Sequence, residues 1–110
     1  MNDKIELDDL CEQLHKTAVE KGFWPDYVDD IFITKQLMMI VSEAVEVMEA
    51  IRKDKGEHEI ADEMADILIR TLDLYAGLVE HGYTRVSLDH AFANKTNLNK
   101  SRPEKHGVRF

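Results

Sequence analysis

The chain has 110 residues, 44% hydrophobic and 33% charged, with a formal net charge of −8. That length suits one domain, the apolar fraction is too high for a disordered chain, and no apolar run reaches the roughly 18–20 residues of a membrane span. The acidic balance argues against duplex DNA as the main partner, because affinity there comes largely from cationic contacts to phosphate, and no nucleic acid is expected as a partner; a single cysteine, Cys11, excludes an intrachain disulfide.

The pattern is helical nearly throughout, with glycine and proline lying between periodic segments. Leu7, Leu10, Leu14 and either Ala18 or Val19 predict a first helix over about residues 5–21, stopped by Gly22. Phe23-Trp24-Pro25-Asp26 is then a loop carrying two large aromatics. A second helix is predicted over about residues 30–53, capped by Asp29 or Asp30 and broken at Asp54-Lys55-Gly56. A third runs over about residues 57–80, with acids in its first turn and His81-Gly82 after its end. Ser87 caps a fourth that reaches about residue 99. Residues 100–110 form a non-periodic tail containing Pro103 and Gly107.

The expected architecture is a single all-α domain spanning residues 1–110. Its second and third helices form a central antiparallel hairpin, and oligomerisation completes the bundle. No signal peptide is expected from Met1-Asn2-Asp3-Lys4-Ile5-Glu6, and a lone cysteine suits a reducing, cytoplasmic setting. Charge is unevenly placed. Residues 91–110 carry five basic side chains (Lys95, Lys100, Arg102, Lys105, Arg109) against Glu104, whereas residues 1–90 carry nine basic and 21 acidic ones.

The second helix is apolar on nearly every side, a pattern that predicts burial, yet Glu43 and Glu46 sit in its middle. At i,i+3 their β-carbons are roughly 5–6 Å apart, so the charges repel, and burial raises the cost. A cation should compensate, but Lys35 and Arg52 lie more than a turn away. The third helix repeats the arrangement with Glu63 and Asp66 among Ile60, Ala61, Met64, Ala65, Ile67, Leu68 and Ile69. Its charged stripe continues through Glu59, Arg70 and Asp73, the last two read as a structural pair. In a hairpin the two acidic pairs can face each other. Four convergent carboxylates make an oxygen-only site suited to Mg²⁺ or Mn²⁺, and without a histidine at matching spacing zinc is less suited. The alternative is four exposed acids on ordinary amphipathic helices. His15, His58, His81 and His90 have no metal spacing and read as surface residues, Cys11 as a small buried apolar one, and the methionines as core.

Glu43-Ala44-Val45-Glu46 followed by Glu63-Met64-Ala65-Asp66 resembles the E-x-x-E…E-x-x-D signature of MazG-like nucleoside triphosphate pyrophosphohydrolases, part of the all-α NTP pyrophosphatase superfamily. Three further segments resemble compact members of that family: Ala18-Val19-Glu20-Lys21-Gly22-Phe23-Trp24, Asp66-Ile67-Leu68-Ile69-Arg70-Thr71-Leu72-Asp73, and Asn99-Lys100-Ser101-Arg102-Pro103-Glu104-Lys105-His106-Gly107. The resemblance implies that Glu43, Glu46, Glu63 and Asp66 ligate Mg²⁺, with Mn²⁺ as a substitute. It implies hydrolysis of a (deoxy)nucleoside triphosphate to monophosphate and pyrophosphate, serving nucleotide-pool sanitation or balance. It also implies a homodimer or homotetramer with the site at a subunit interface.

Lys95 and Asn99 match K-x-x-x-N positions that contact nucleotide in relatives, and Arg102 matches a following basic position. Lys95 and Arg102 would stabilise charge on the triphosphate. Glu46 is the first choice of carboxylate to accept a proton from the attacking water, with Glu43 and Glu63 as alternatives. Trp24 or Phe23 either stacks on a base or closes the core. Three rival readings stand beside this one, one of them nucleic-acid binding through the basic tail, which predicts a steep salt dependence of binding and no turnover. Phosphoribosyl-ATP pyrophosphatase would suit Glu43-Ala44-Val45-Glu46-Val47, though the tail suits it less. A non-catalytic helical protein for assembly or nucleotide sensing would not need four intact acids.

Overall fold

The computed structural model describes residues 6–103 and contains four helices: α1 (Leu7–Glu20), α2 (Asp30–Arg52), α3 (Glu57–Glu80) and α4 (Leu88–Ser101). The all-α expectation holds, and among the described residues there is no strand. The bounds of α3 are those predicted, and Asp29 rather than Asp30 caps α2, accepting from the Phe32 N–H. Ser87 caps α4 as expected, but α4 continues through Lys100 and Ser101, which are helical rather than part of a tail. Lys105, His106, Gly107 and Arg109 lie outside the described residues.

The first three helices end in the same way. After α1, the Gly22 N–H bonds to the Val19 carbonyl and the Phe23 N–H to the Ala18 carbonyl. After α3, Gly82 and Tyr83 bond likewise to Val79 and Leu78. These paired hydrogen bonds close off carbonyls that the helix leaves unpaired, and they require a left-handed residue, here Gly22 at φ 82° and Gly82 at φ 83°. After α2 the left-handed position is Asp54, at φ 51°. Aspartate tolerates it better than most residues, so the break there needs no glycine.

α3 is the central element: α2 packs along it as the hairpin partner, α1 also packs along it, and α4 leans on α1. Cys11, Ile33, Ala50, Leu72 and Leu74 form the buried apolar core. Trp24 pins the loop after α1 onto α3. Its indole lies directly on Gly77, where an added β-carbon would overlap the ring carbons. Its Nε1 donates to Asp73 Oδ1 at 3.0 Å. It also stacks parallel on His81 at 6.0 Å and meets the rings of His15 and Phe32.

His15 is buried rather than on the surface. The face of α1 that turns to α3 carries it between two carboxylates, with Nδ1 2.8 Å from Asp73 Oδ1 and Nε2 2.6 Å from Glu80 Oε2. Asp73 is therefore engaged by His15 and Trp24. The expected Arg70–Asp73 pair does not form, and Arg70 turns instead to α2.

α2 is not buried all round. One stripe meets α3, while Leu37, Met38, Val41, Val45 and Met48 are exposed, because a single chain supplies α2 with one long neighbour. On α3, Met64, Leu68 and Ile69 are exposed as well. Among the described residues no helix is long and apolar enough to cross a membrane.

Candidate active site

The less exposed face of α2 runs through Ile33, Gln36, Ile40, Glu43, Val47 and Ala50, at successive helical spacings. Glu43 is thereby carried to the hairpin interface, with a side chain only 16% exposed. From α3, Glu63 and Asp66 rise one turn apart. One carboxylate oxygen from each of Glu43, Glu63 and Asp66 lies within 4.8 Å of the other two. Glu43 and Glu63 are half-buried and Asp66 is exposed. Glu46, the fourth expected ligand, is exposed and stands outside this triad, although its charge reaches it. Desolvation, followed by the charges of Asp66, Glu46, Glu43 and Glu59, pushes the Glu63 carboxyl above the usual carboxylate range.

Such an arrangement lacks positive charge. Part of it comes from the facing helix: Arg70 Nε donates to Glu43 Oε1 at 2.9 Å. The rest of the triad fits a divalent cation of the hard, oxygen-preferring kind. Its donors are all oxygens, they converge from two helices, and burial followed by the neighbouring acids pushes the carboxyl of one of them, Glu63, upward.

A cavity of about 570 Å³ adjoins the triad, with Glu43 and Asp66 in its wall. Its basic residues are Lys21 at the end of α1, Lys35 on α2 and Arg70 on α3. Leu14, Ala18, Phe23, Met39 and Ile69 supply apolar wall, and Gln36 a polar amide. Lys35, Met39 and Glu43 fall at i, i+4 and i+8, so a row about 12 Å long runs from cation to carboxylate along α2.

The structure brings Glu43, Glu63 and Asp66 together. Lys95 and Asn99 lie on the exposed length of α4 and Arg102 just past its end, and none of them lines this cavity. Trp24 also lies outside the cavity wall; its ring is engaged with His15, Phe32, Gly77 and His81. Its neighbour Phe23 is 71% exposed and does line the cavity. Lys21, Lys35 and Gln36 were not singled out from sequence. The i,i+4,i+8 spacing from Lys35 to Glu43 was the available signal, but it reads as distance on one helix until α1 and α3 close the space around it.

A family described as the MazG nucleotide pyrophosphohydrolase domain matches residues 33–106, which takes in most of α2 and all of α3 and α4, with all four expected acids. No curated protein and no solved structure matches the chain significantly. With its acids paired across a helix hairpin and two thirds of its length matched, the chain belongs to the MazG nucleotide pyrophosphohydrolase domain family.

Proposed function

We propose that this protein hydrolyses (deoxy)nucleoside triphosphates to the monophosphate and pyrophosphate, using Mg²⁺ held by Glu43, Glu63 and Asp66. The observation that carries this reading is the convergence of those three carboxylates beside a cavity bordered by cations, in a chain of this family. Bound at the triad, Mg²⁺ supplies Lewis acidity and offsets charge between carboxylates and triphosphate; Mn²⁺ is the natural substitute.

The chain's own residues do the remaining work. Glu46, exposed beside the triad, would complete the ligand set or accept a proton from the attacking water. Lys21, Lys35 and Arg70 lower the cost of holding a polyanion in the cavity. Phe23, open and in the cavity wall, is the better-placed of the two loop aromatics to stack on a base.

The reading includes a homo-oligomer. Met38, Val41, Val45 and Met48 repeat at the 3–4–3 spacing of a helix seam and are exposed, as are Met64 and Leu68 on α3. A second copy of the chain is the occupant of that face, in a homodimer or homotetramer. Lys95, Asn99 and Arg102 would reach the nucleotide through that second copy. The buried thiol of Cys11 suits a reducing, cytoplasmic setting, and the proposed role is nucleotide-pool sanitation or balance.

The test is a panel of canonical and modified NTPs and dNTPs incubated with Mg²⁺, with and without chelator. The proposal expects metal-dependent monophosphate release from at least one nucleotide, from a protein that elutes as a dimer or larger. No turnover with either Mg²⁺ or Mn²⁺ overturns it.

A further inference from the structure

Arg70 stands where the acid triad meets the cavity. Its Nε donates to Glu43 Oε1, and Glu43 is itself a member of the triad. A guanidinium has five N–H donors, and Nε uses one of them. The two terminal nitrogens, with the other four, bond to no described residue. Two acids lie one turn away on the same helix, and neither pairs with Arg70. Asp73 is taken by His15 and Trp24, and Asp66 belongs to the triad without an ion pair to the guanidinium. The side chain is 39% exposed and forms part of the cavity wall.

That is an unusual commitment for an arginine. The single bond at Nε fixes the plane of the group, while the planar fork that takes two oxygens of one phosphate is left open beside a cavity. An arginine present only to neutralise Glu43 would gain more from presenting two parallel N–H groups to both carboxylate oxygens. Through Nε it occupies Oε1 and leaves Oε2 available to the triad.

The geometry points to Arg70 as a phosphate-binding residue. Its terminal nitrogens take a phosphate of the nucleotide, and Glu43 orients the guanidinium from behind. The inference rests on the triphosphate reading above. It makes Glu43 the link between the two halves of the site, because the same carboxylate serves the cation on one side and steadies the phosphate ligand on the other. A lysine at position 70 would keep a charge but not the fork, so it should restore binding only in part.

The test uses the full chain, as wild type, Arg70→Gln and Arg70→Lys. Inorganic tripolyphosphate binding is measured by calorimetry at saturating Mg²⁺, Mn²⁺ binding is measured alone, and nucleotide KM and kcat are measured on the same preparations. Arg70→Gln should weaken tripolyphosphate binding and raise KM by about tenfold or more, with Mn²⁺ affinity little changed, and Arg70→Lys should fall between it and wild type. If wild type turns over nucleotide and Arg70→Gln binds tripolyphosphate as wild type does, the inference is overturned and the proposed function stands. A parallel loss of Mn²⁺ and tripolyphosphate affinity overturns it too, since Arg70 would then act only by holding Glu43. Wild type that neither binds tripolyphosphate nor turns over nucleotide overturns both readings. Should Arg70→Gln fail to fold, Arg70→Lys decides: unchanged tripolyphosphate affinity there contradicts a role for the fork.

Discussion

Asp8 and Asp89 cap each other's helices. Asp89 Oδ1 accepts from the Leu7 N–H at 2.7 Å and Oδ2 from the Asp8 N–H at 3.1 Å. In return, Asp8 Oδ1 accepts from the Leu88 N–H at 2.8 Å and Oδ2 from the Ser87 hydroxyl at 2.6 Å. Each carboxylate satisfies donors that a helix start leaves unpaired, and each lies at the positive end of the other helix's dipole. The exchange is the main tie holding α4 to the rest of the chain, since α4 has no buried residue of its own.

Replacing Asp89 by alanine should therefore cost about 1–2 kcal/mol, the scale of a lost helix cap, and lower the melting temperature by several degrees. The pH dependence has a definite sign. The bond from the Ser87 hydroxyl, with backbone bonds behind it, holds the Asp8 carboxyl below its ordinary value against the opposing effect of burial. The unfolded chain then binds the proton more readily. This contribution is full above about pH 4 and is lost as pH falls through the lower folded value. Melting curves of wild type and Asp8→Asn across the acid range should converge as pH falls.

Cys11 lies beneath the same junction, 3% exposed. Burial, helped by the charges of Asp8 and Asp89, pushes its thiol up to about 11. At pH 8 the native protein should resist alkylation by iodoacetamide and react readily once denatured. Mass spectrometry of the quenched reaction reads this directly.

Gly77→Ala should be among the most damaging small substitutions in the chain. The added methyl would overlap the Trp24 ring, which cannot withdraw without giving up its bond to Asp73 and its stacking on His81. Overpacking of this kind costs about 1–3 kcal/mol. Thermal melting checks the loss, and tryptophan emission, which comes from Trp24 alone, should shift to the red as the ring gains solvent.

Among the acids, Glu43→Gln and Asp66→Asn should abolish turnover while leaving the helical circular-dichroism spectrum unchanged. At the proposed metal site, Glu63 should give binding its pH dependence. Its carboxyl is raised by desolvation and by neighbouring acids, so its proton persists to higher pH than on an ordinary glutamate. Mn²⁺ affinity should fall as pH drops through that raised value, and binding should release protons there. Glu46→Gln removes one of the raising charges, so it should move the midpoint to lower pH in a Mn²⁺ titration.

Much of the fold was legible because it is local. The span of α3, the caps Asp29 and Ser87, and the breaks at Gly22, Asp54 and Gly82 follow from spacing and turn chemistry within a few residues. The convergence of Glu43 with Glu63 and Asp66 was legible for a related reason: a short turn between two long helices leaves them one way to fold back on each other. What escaped was contact between distant residues. His15 reaches Asp73 across 58 positions, and Arg70 reaches Glu43 across 27, so helical spacing assigned Arg70 the wrong acid. Apolar periodicity also cannot tell a face covered by the same chain from one left open. The exposed stripe on α2 therefore read as core.

In the proposed reaction the hairpin acids serve cleavage of a triphosphate between its α and β phosphorus atoms. Following the best nucleotide substrate with Mg²⁺ by phosphorus NMR tests it most directly. Monophosphate and pyrophosphate should appear in equal amounts, with neither formed by Asp66→Asn. Diphosphate and orthophosphate as products, or turnover that survives in Asp66→Asn, would contradict it.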